Sequence, residues 1–80
     1  MSLVELTPKG SISHMINASH ETQHGISSAM GKSKRYISAT LSKNKSVMVD
    51  TLLQIAHACG YEMLLTNGND TIRVSLDSAV

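Results

Sequence analysis

TQHGISSAMGKSKRYISATL, residues 22–41, decides the fold of this chain. Thr22 offers a hydroxyl to the free amides of a short helix, roughly 23–30, whose apolar residues Ile26, Ala29 and Met30 recur at helical spacing. Gly31 follows the last of them as a stop suited to the left-handed backbone. Ser33 is then the N-cap candidate for another helix, roughly 34–42, which carries Ile37 and Leu41. Ile26, Met30 and Ile37 are the apolar residues that fix the angle between the two helices.

Upstream, Thr7-Pro8 reads as an N-cap followed by proline at the first helical position, and Ile12, Met15 and Ile16 place a helix that ends near Asn17 or Ala18. Downstream, the polar segment Ser42-Lys43-Asn44-Lys45-Ser46 is a loop. Met48, Leu52, Ile55, Ala56 and Cys59 then mark the inward stripe of a fourth amphipathic helix, terminated by Gly60. Beyond it Tyr61, Met63 and Leu65 alternate with Glu62, Leu64 and Thr66. Asn67-Gly68-Asn69-Asp70 is a turn, and Ile72, Val74 and Leu76 alternate again. The expected fold is mainly α: a four-helix core over about 7–60 and a C-terminal β-hairpin over about 61–76, in one domain spanning 1–80.

Eighty residues bury one modest core, which disfavours a deep catalytic cleft. With no Phe or Trp, and Tyr36 and Tyr61 as the aromatics, that core is aliphatic. A single cysteine, Cys59, excludes an intrachain disulfide and, on the inward stripe of the fourth helix, reads as a small hydrophobe rather than a nucleophile. The apolar runs are too short for a membrane span or a secretory signal, so the expected location is the cytosol, without a membrane partner. The net charge of +1 conceals a segregation. Five of the seven basic residues, Lys32, Lys34, Arg35, Lys43 and Lys45, fall between Glu21 and Asp50, where there is no acidic residue. Such a tract is either a solvated loop or a face for a polyanion.

HETQH, residues 20–24, spells the H-E-x-x-H pattern in which two histidines one turn apart on a helix hold zinc. The geometry requires one continuous helix. Here His20 and Glu21 precede the cap at Thr22 while His24 lies inside the next helix, and Gly25 is a poor residue for a rigid metal-bearing helix. His14 and His57 stand in no third-ligand context. The expectation is no metal, no cofactor and no enzyme, with His20 and His24 as surface or DNA-backbone-facing residues.

Two short helices joined by a glycine-containing turn match the helix-turn-helix, whose second helix enters the DNA major groove. Over residues 12–63 the chain also resembles the lambda-repressor-like, Cro-type (XRE-family) regulators. Thr22-Gln23 resembles the family's start of the second helix, Ile26 its inward leucine, Met30-Gly31 its turn, Ser33 its cap and Ile37 the core residue of the recognition helix. TLLQIAHACGYEM, residues 51–63, resembles its final helix with the glycine after it. The chain departs from the family at Ser27, usually alanine, at Lys32, often apolar, and at Thr40, for which Leu41 substitutes as the second apolar residue.

The resemblance implies a sequence-specific DNA-binding regulator, repressor or activator, associated with the nucleoid. Lys34, Arg35 and Tyr36 would occupy the first turn of the recognition helix, where Arg or Lys bonds guanine O6 and N7, with Ser38 and Ala39 one turn later. Thr22 and Gln23 suit a phosphate, as Ser33 does at its cap, and Lys43, Asn44 and Lys45 suit the flanking backbone. Because one such unit reads only a few base pairs, a homodimer is expected. Its contact residues are Tyr61, Met63, Leu65, Ile72, Val74 and Leu76 of the hairpin, whose alternative role is to cap the monomer's own core. Two other functions remain open: an antitoxin that also binds a toxin protein, and a protein-interaction module without DNA binding.

Overall fold

The computed structural model describes residues 4–76, in which four helices precede a two-stranded antiparallel hairpin, the mainly α arrangement expected from the sequence. The elements are α1 (Pro8–Ala18), α2 (Gln23–Ala29), α3 (Tyr36–Ser42), α4 (Val49–Ala58), β1 (Met63–Thr66) and β2 (Thr71–Val74). The expected domain limits at 1 and 80 lie outside the described residues.

Two threonines open the first two helices. The Thr7 hydroxyl accepts the Gly10 N–H at 3.0 Å and that of Thr22 accepts the Gly25 N–H at 2.9 Å, each satisfying an amide that the helix cannot. Three of the helices close in one way: a residue at positive φ follows the cap, and its N–H and the next fold back onto the last turn. After α2 the N–H groups of Gly31 and Lys32 reach the carbonyls of Ser28 and Ser27 at 3.0 and 2.9 Å. After α4 those of Gly60 and Tyr61 reach His57 and Ala56 at 3.1 and 2.8 Å. After α1 those of His20 and Glu21 reach Asn17 and Ile16 at 3.1 and 3.2 Å. Gly31 (φ 71°) and Gly60 (φ 80°) take this backbone without a Cβ in the way, whereas His20 holds φ 60° with a full side chain.

The buried cluster joins Ile12, Met15 and Ile16 of α1, Ile26 of α2, Ile37 of α3, and Ile55 and Ala56 of α4. Helix α1 packs on α4, and α2 packs on both α3 and α4. Ser27 of α2 is fully buried, the one buried polar side chain among the described residues. Its Oγ donates to the Gln23 carbonyl at 2.7 Å and accepts the Ile37 N–H at 3.2 Å.

That second bond corrects two expectations for α3. The helix begins at Tyr36, two residues later than predicted, and no side chain of its own caps it. Ser33 contributes its carbonyl instead, which accepts the Tyr36 N–H at 3.0 Å across a turn holding Lys34 and Arg35. The Ile37 amide, one of the first-turn donors without an intrahelical partner, is served from α2 by Ser27. Helix α4 also differs from its predicted stripe. Met48 has extended backbone (φ −68°, ψ 148°) before the helix and is 70% exposed, so the inward residues are Leu53, Ile55 and Ala56. Leu52 is half-buried, and so is Cys59, which caps the helix end rather than lying in the buried stripe.

The hairpin is shorter than predicted, because Tyr61 is used by the cap of α4 and Leu76 follows the end of β2. Its turn is held by Asn67, whose Oδ1 accepts the N–H groups of Asn69 and Asp70 at 2.9 and 2.8 Å. Met63 pairs with Val74 and Leu65 with Ile72, which puts all four side chains on one face. The Met63–Val74 end of that face is half-buried and lines a pocket with Leu53 and Ala56 of α4, whereas Leu65 and Ile72 are exposed.

Ser27→Ala leaves the Ile37 N–H unsatisfied in the core and is expected to cost about 1–3 kcal/mol. The check is a lower urea midpoint at unchanged slope; an unchanged midpoint contradicts the role given to this hydroxyl. His20→Gly, which relieves about 1–2 kcal/mol of left-handed strain against about 0.5–1 kcal/mol of added chain entropy, is expected to raise stability by about 0.5–1 kcal/mol in the same assay.

Candidate nucleic-acid interface

Helix α3 divides its residues cleanly between two faces. Ile37 is buried, with Tyr36, Thr40 and Leu41 half-buried on the same side. Arg35, Ala39 and Ser42 are exposed, and half-buried Ser38 lies between them, so that positions 35, 38/39 and 42 form one outward stripe. The stripe is short-chained after Arg35. Ser38 Oγ donates to the Arg35 carbonyl at 3.1 Å and Ser42 Oγ to the Ser38 carbonyl at 2.6 Å, which folds both hydroxyls against the helix. Thr40 does the same to Tyr36 at 2.9 Å on the inner side.

Cations flank this stripe at both ends. Lys32, Lys34 and Arg35 precede α3, Lys43 and Lys45 follow it, and all five are exposed. Among the described residues none of them pairs with a carboxylate; the ion pair present, Arg73–Glu62 at 3.2 Å, is on the hairpin side with both side chains exposed. The expected site residues fall into three groups. Arg35, Ser38 and Ala39 share the outward stripe, although Arg35 stands at its entrance rather than inside the first turn. Ser33 and Lys34 lie in the turn before the helix, Lys43 and Asn44 just after it, and Thr22 and Gln23 are exposed at the start of α2. Tyr36 does not belong with them: its ring packs against the core cluster, and Lys32 Nζ lies 5.5 Å from the ring centroid.

Two residues escaped the sequence reading. Ser42 is the i+7 partner of Arg35 and was legible from helical spacing once the helix start was placed. Lys9 was not legible: its Nζ donates to the Lys43 carbonyl, a contact across 34 positions of chain.

HETQH straddles a helix end and a helix start. His20 is the left-handed residue closing α1, Thr22 caps α2 and His24 lies inside α2, so the two imidazoles do not project from successive turns of one helix. Among the described residues no three His, Cys, Asp or Glu side chains converge on a point that would hold a metal. Burial pushes the Cys59 thiol above its ordinary pKa, with the neighbouring Ser19 hydroxyl opposing the shift and the Glu21 carboxylate reinforcing it. At neutral pH it is therefore the thiol and not the nucleophilic thiolate. Of the hairpin residues expected to meet a second chain, Met63, Val74 and Leu76 are half-buried against their own domain, while Tyr61, Leu65 and Ile72 are exposed. Leu64, 53% exposed on the opposite face, is apolar surface that the alternation had assigned to the solvent side. Among the described residues no helix is long and apolar enough to cross a membrane.

The protein purified without metal-affinity steps is expected to carry no stoichiometric zinc, and a chelator to leave its melting temperature unchanged. One zinc per chain, lost in His20→Ala and His24→Ala alike, contradicts the geometry of this stretch.

No protein-family model matches the chain, and neither a curated protein nor a solved structure matches it.

Proposed function

We propose that this chain is a sequence-specific DNA-binding regulator that sets α3 in the major groove as the second helix of a helix-turn-helix and acts as a homodimer. The observation that carries the reading is the outward stripe of α3, small in the middle and flanked by cations at both ends. Ser38, Ala39 and Ser42 let the helix approach base edges closely, and Ala39 suits a thymine methyl. Arg35 is the long donor at the entrance, with the fork geometry that guanine O6 and N7 accept. Lys34, Lys43 and Asn44 suit phosphates on either side. Thr22, whose hydroxyl accepts from Gly25, still has its proton to donate to a phosphate beside Gln23.

Dimerisation follows from the reach of one α3, which covers a few base pairs, and the hairpin is the element left to supply it. A lone two-stranded hairpin is marginal in water, among the described residues both of its outer edges lack a strand neighbour, and Leu65 and Ile72 are 57% and 54% exposed on the face they share with Met63 and Val74. The alternative reading is an antitoxin that dimerises through the same hairpin and binds a toxin protein with another surface; a toxin-like gene beside its own points to it.

Selection from random duplex DNA is expected to enrich one sequence, bound with an affinity that falls steeply with salt as counterions are released. Arg35→Ala should cost about 1–3 kcal/mol and relax preference at one base, while Lys43→Ala should weaken all sequences alike. No enrichment, with both variants binding like the parent, removes the assignment. Leu65→Asp with Ile72→Asp, at positions already exposed in the monomer, should turn a sedimenting dimer into a monomer of unchanged helix content; a double variant that still dimerises excludes the hairpin.

A further inference from the structure

We infer that the cleft between the start of α1 and the loop after α3 is a second phosphate-binding site, in which Lys9 and Lys45 grip the DNA backbone at the far end of the recognition helix. The inference rests on the DNA-binding reading and adds to it an element, α1, that the sequence did not connect with the interface.

The cleft holds ≈ 420 Å³. Thr7, Pro8 and Lys9 line one side, and Asn44, Lys45 and Ser46 line the other. The two sides are tied together by Lys9, whose ammonium donates to the Lys43 carbonyl at the protein surface. Lys9 and Lys45, from two distant parts of the chain, thereby line one cleft, and among the described residues no carboxylate pairs with either. An anion seated in the cleft would meet two ammonium groups with no carboxylate among the described residues competing for them. Asn44 and Ser46 add neutral donors, and Thr7 adds a hydroxyl proton, since its oxygen already accepts from Gly10.

The position of the cleft selects the anion. Arg35 marks the start of α3 and the lysine cluster its end, and seven residues of helix span about 10 Å. The major groove is about 12 Å wide, with a phosphate strand on each rim. A helix lying in that groove has a phosphate strand on each side, so cations at its two ends lie within reach of the backbone: Lys34 at one end, the Lys9–Lys45 cleft at the other.

The alternative is that Lys9 only caps the carbonyls at the end of α3. Lys9→Gln separates the two, because the amide keeps a donor for the Lys43 carbonyl but removes the charge. With the selected duplex, Lys9→Gln is expected to reduce the slope of log affinity against log salt by about one, so that between 50 and 200 mM salt it loses about three- to fourfold less affinity than the parent. Base preference should stay unchanged, and one position of ethylation interference outside the bases read by α3 should disappear. Lys9→Arg should keep both slope and footprint. A Lys9→Gln chain with parental slope and footprint, alongside an Arg35→Ala chain that loses base preference, overturns the cleft while leaving the DNA reading intact. A parent chain that enriches no duplex overturns both.

Discussion

The Ser27 hydroxyl is the joint on which the arrangement of α2 and α3 turns. A helix of seven residues gains little from its own hydrogen bonds, and its place is set by what meets its first amides and its apolar face. For α3 both come from α2: Ser27 takes the Ile37 N–H, and Ile26 packs in the same buried cluster as Ile37. Because the hydroxyl also donates to Gln23, it is satisfied on both sides, and burying it incurs no unpaired polar atom. An alanine here would fill the space and leave the amide bare. This bond meets a first-turn amide of a helix that starts at Tyr36, and that start sets which residues of the following tract share a face.

That choice of face reorganises the basic tract. If α3 began under a Ser33 cap, Lys34, Arg35 and Tyr36 would form its first turn together. With the start at Tyr36, the tyrosine turns inward beneath Lys32, Lys34 stays in the turn, and Arg35 stands alone at the head of a stripe of small residues. The proposed recognition surface is therefore sparse in long side chains along its length and cationic at its ends. Such a surface draws affinity from phosphates and leaves discrimination to a few contacts. Lys9 extends the cationic end through tertiary contact.

The hairpin follows from the smallness of the core. Met63 and Val74 at the base of the hairpin are half-buried, sharing a pocket with Leu53 and Ala56, whereas Leu65 and Ile72 are exposed. Their exposure supplies the apolar surface that the proposed dimer uses.

Local chemistry was legible in the sequence. Thr7-Pro8 and Thr22 announce helix starts, Gly31 and Gly60 announce ends, the 3.6-residue recurrence of Ile12, Met15 and Ile16 announces a buried face, and Asn67-Gly68 announces a turn. Each depends on residues within one or two turns of one another, so the order of four helices and a hairpin, and the break in HETQH, could be read without coordinates. The start of α3, the inward turn of Tyr36, the exposure of Met48 and the approach of Lys9 to Lys43 could not. These rest on contacts between residues far apart in the chain, ten positions for Ser27 and Ile37 and 34 for Lys9 and Lys43. In such cases a nearby cap such as Ser33 is a weaker determinant than a buried hydroxyl brought in from another helix, since an unsatisfied amide in the core costs more than one in water. Sequence determined which segments are helices; packing decided which of their residues face outward.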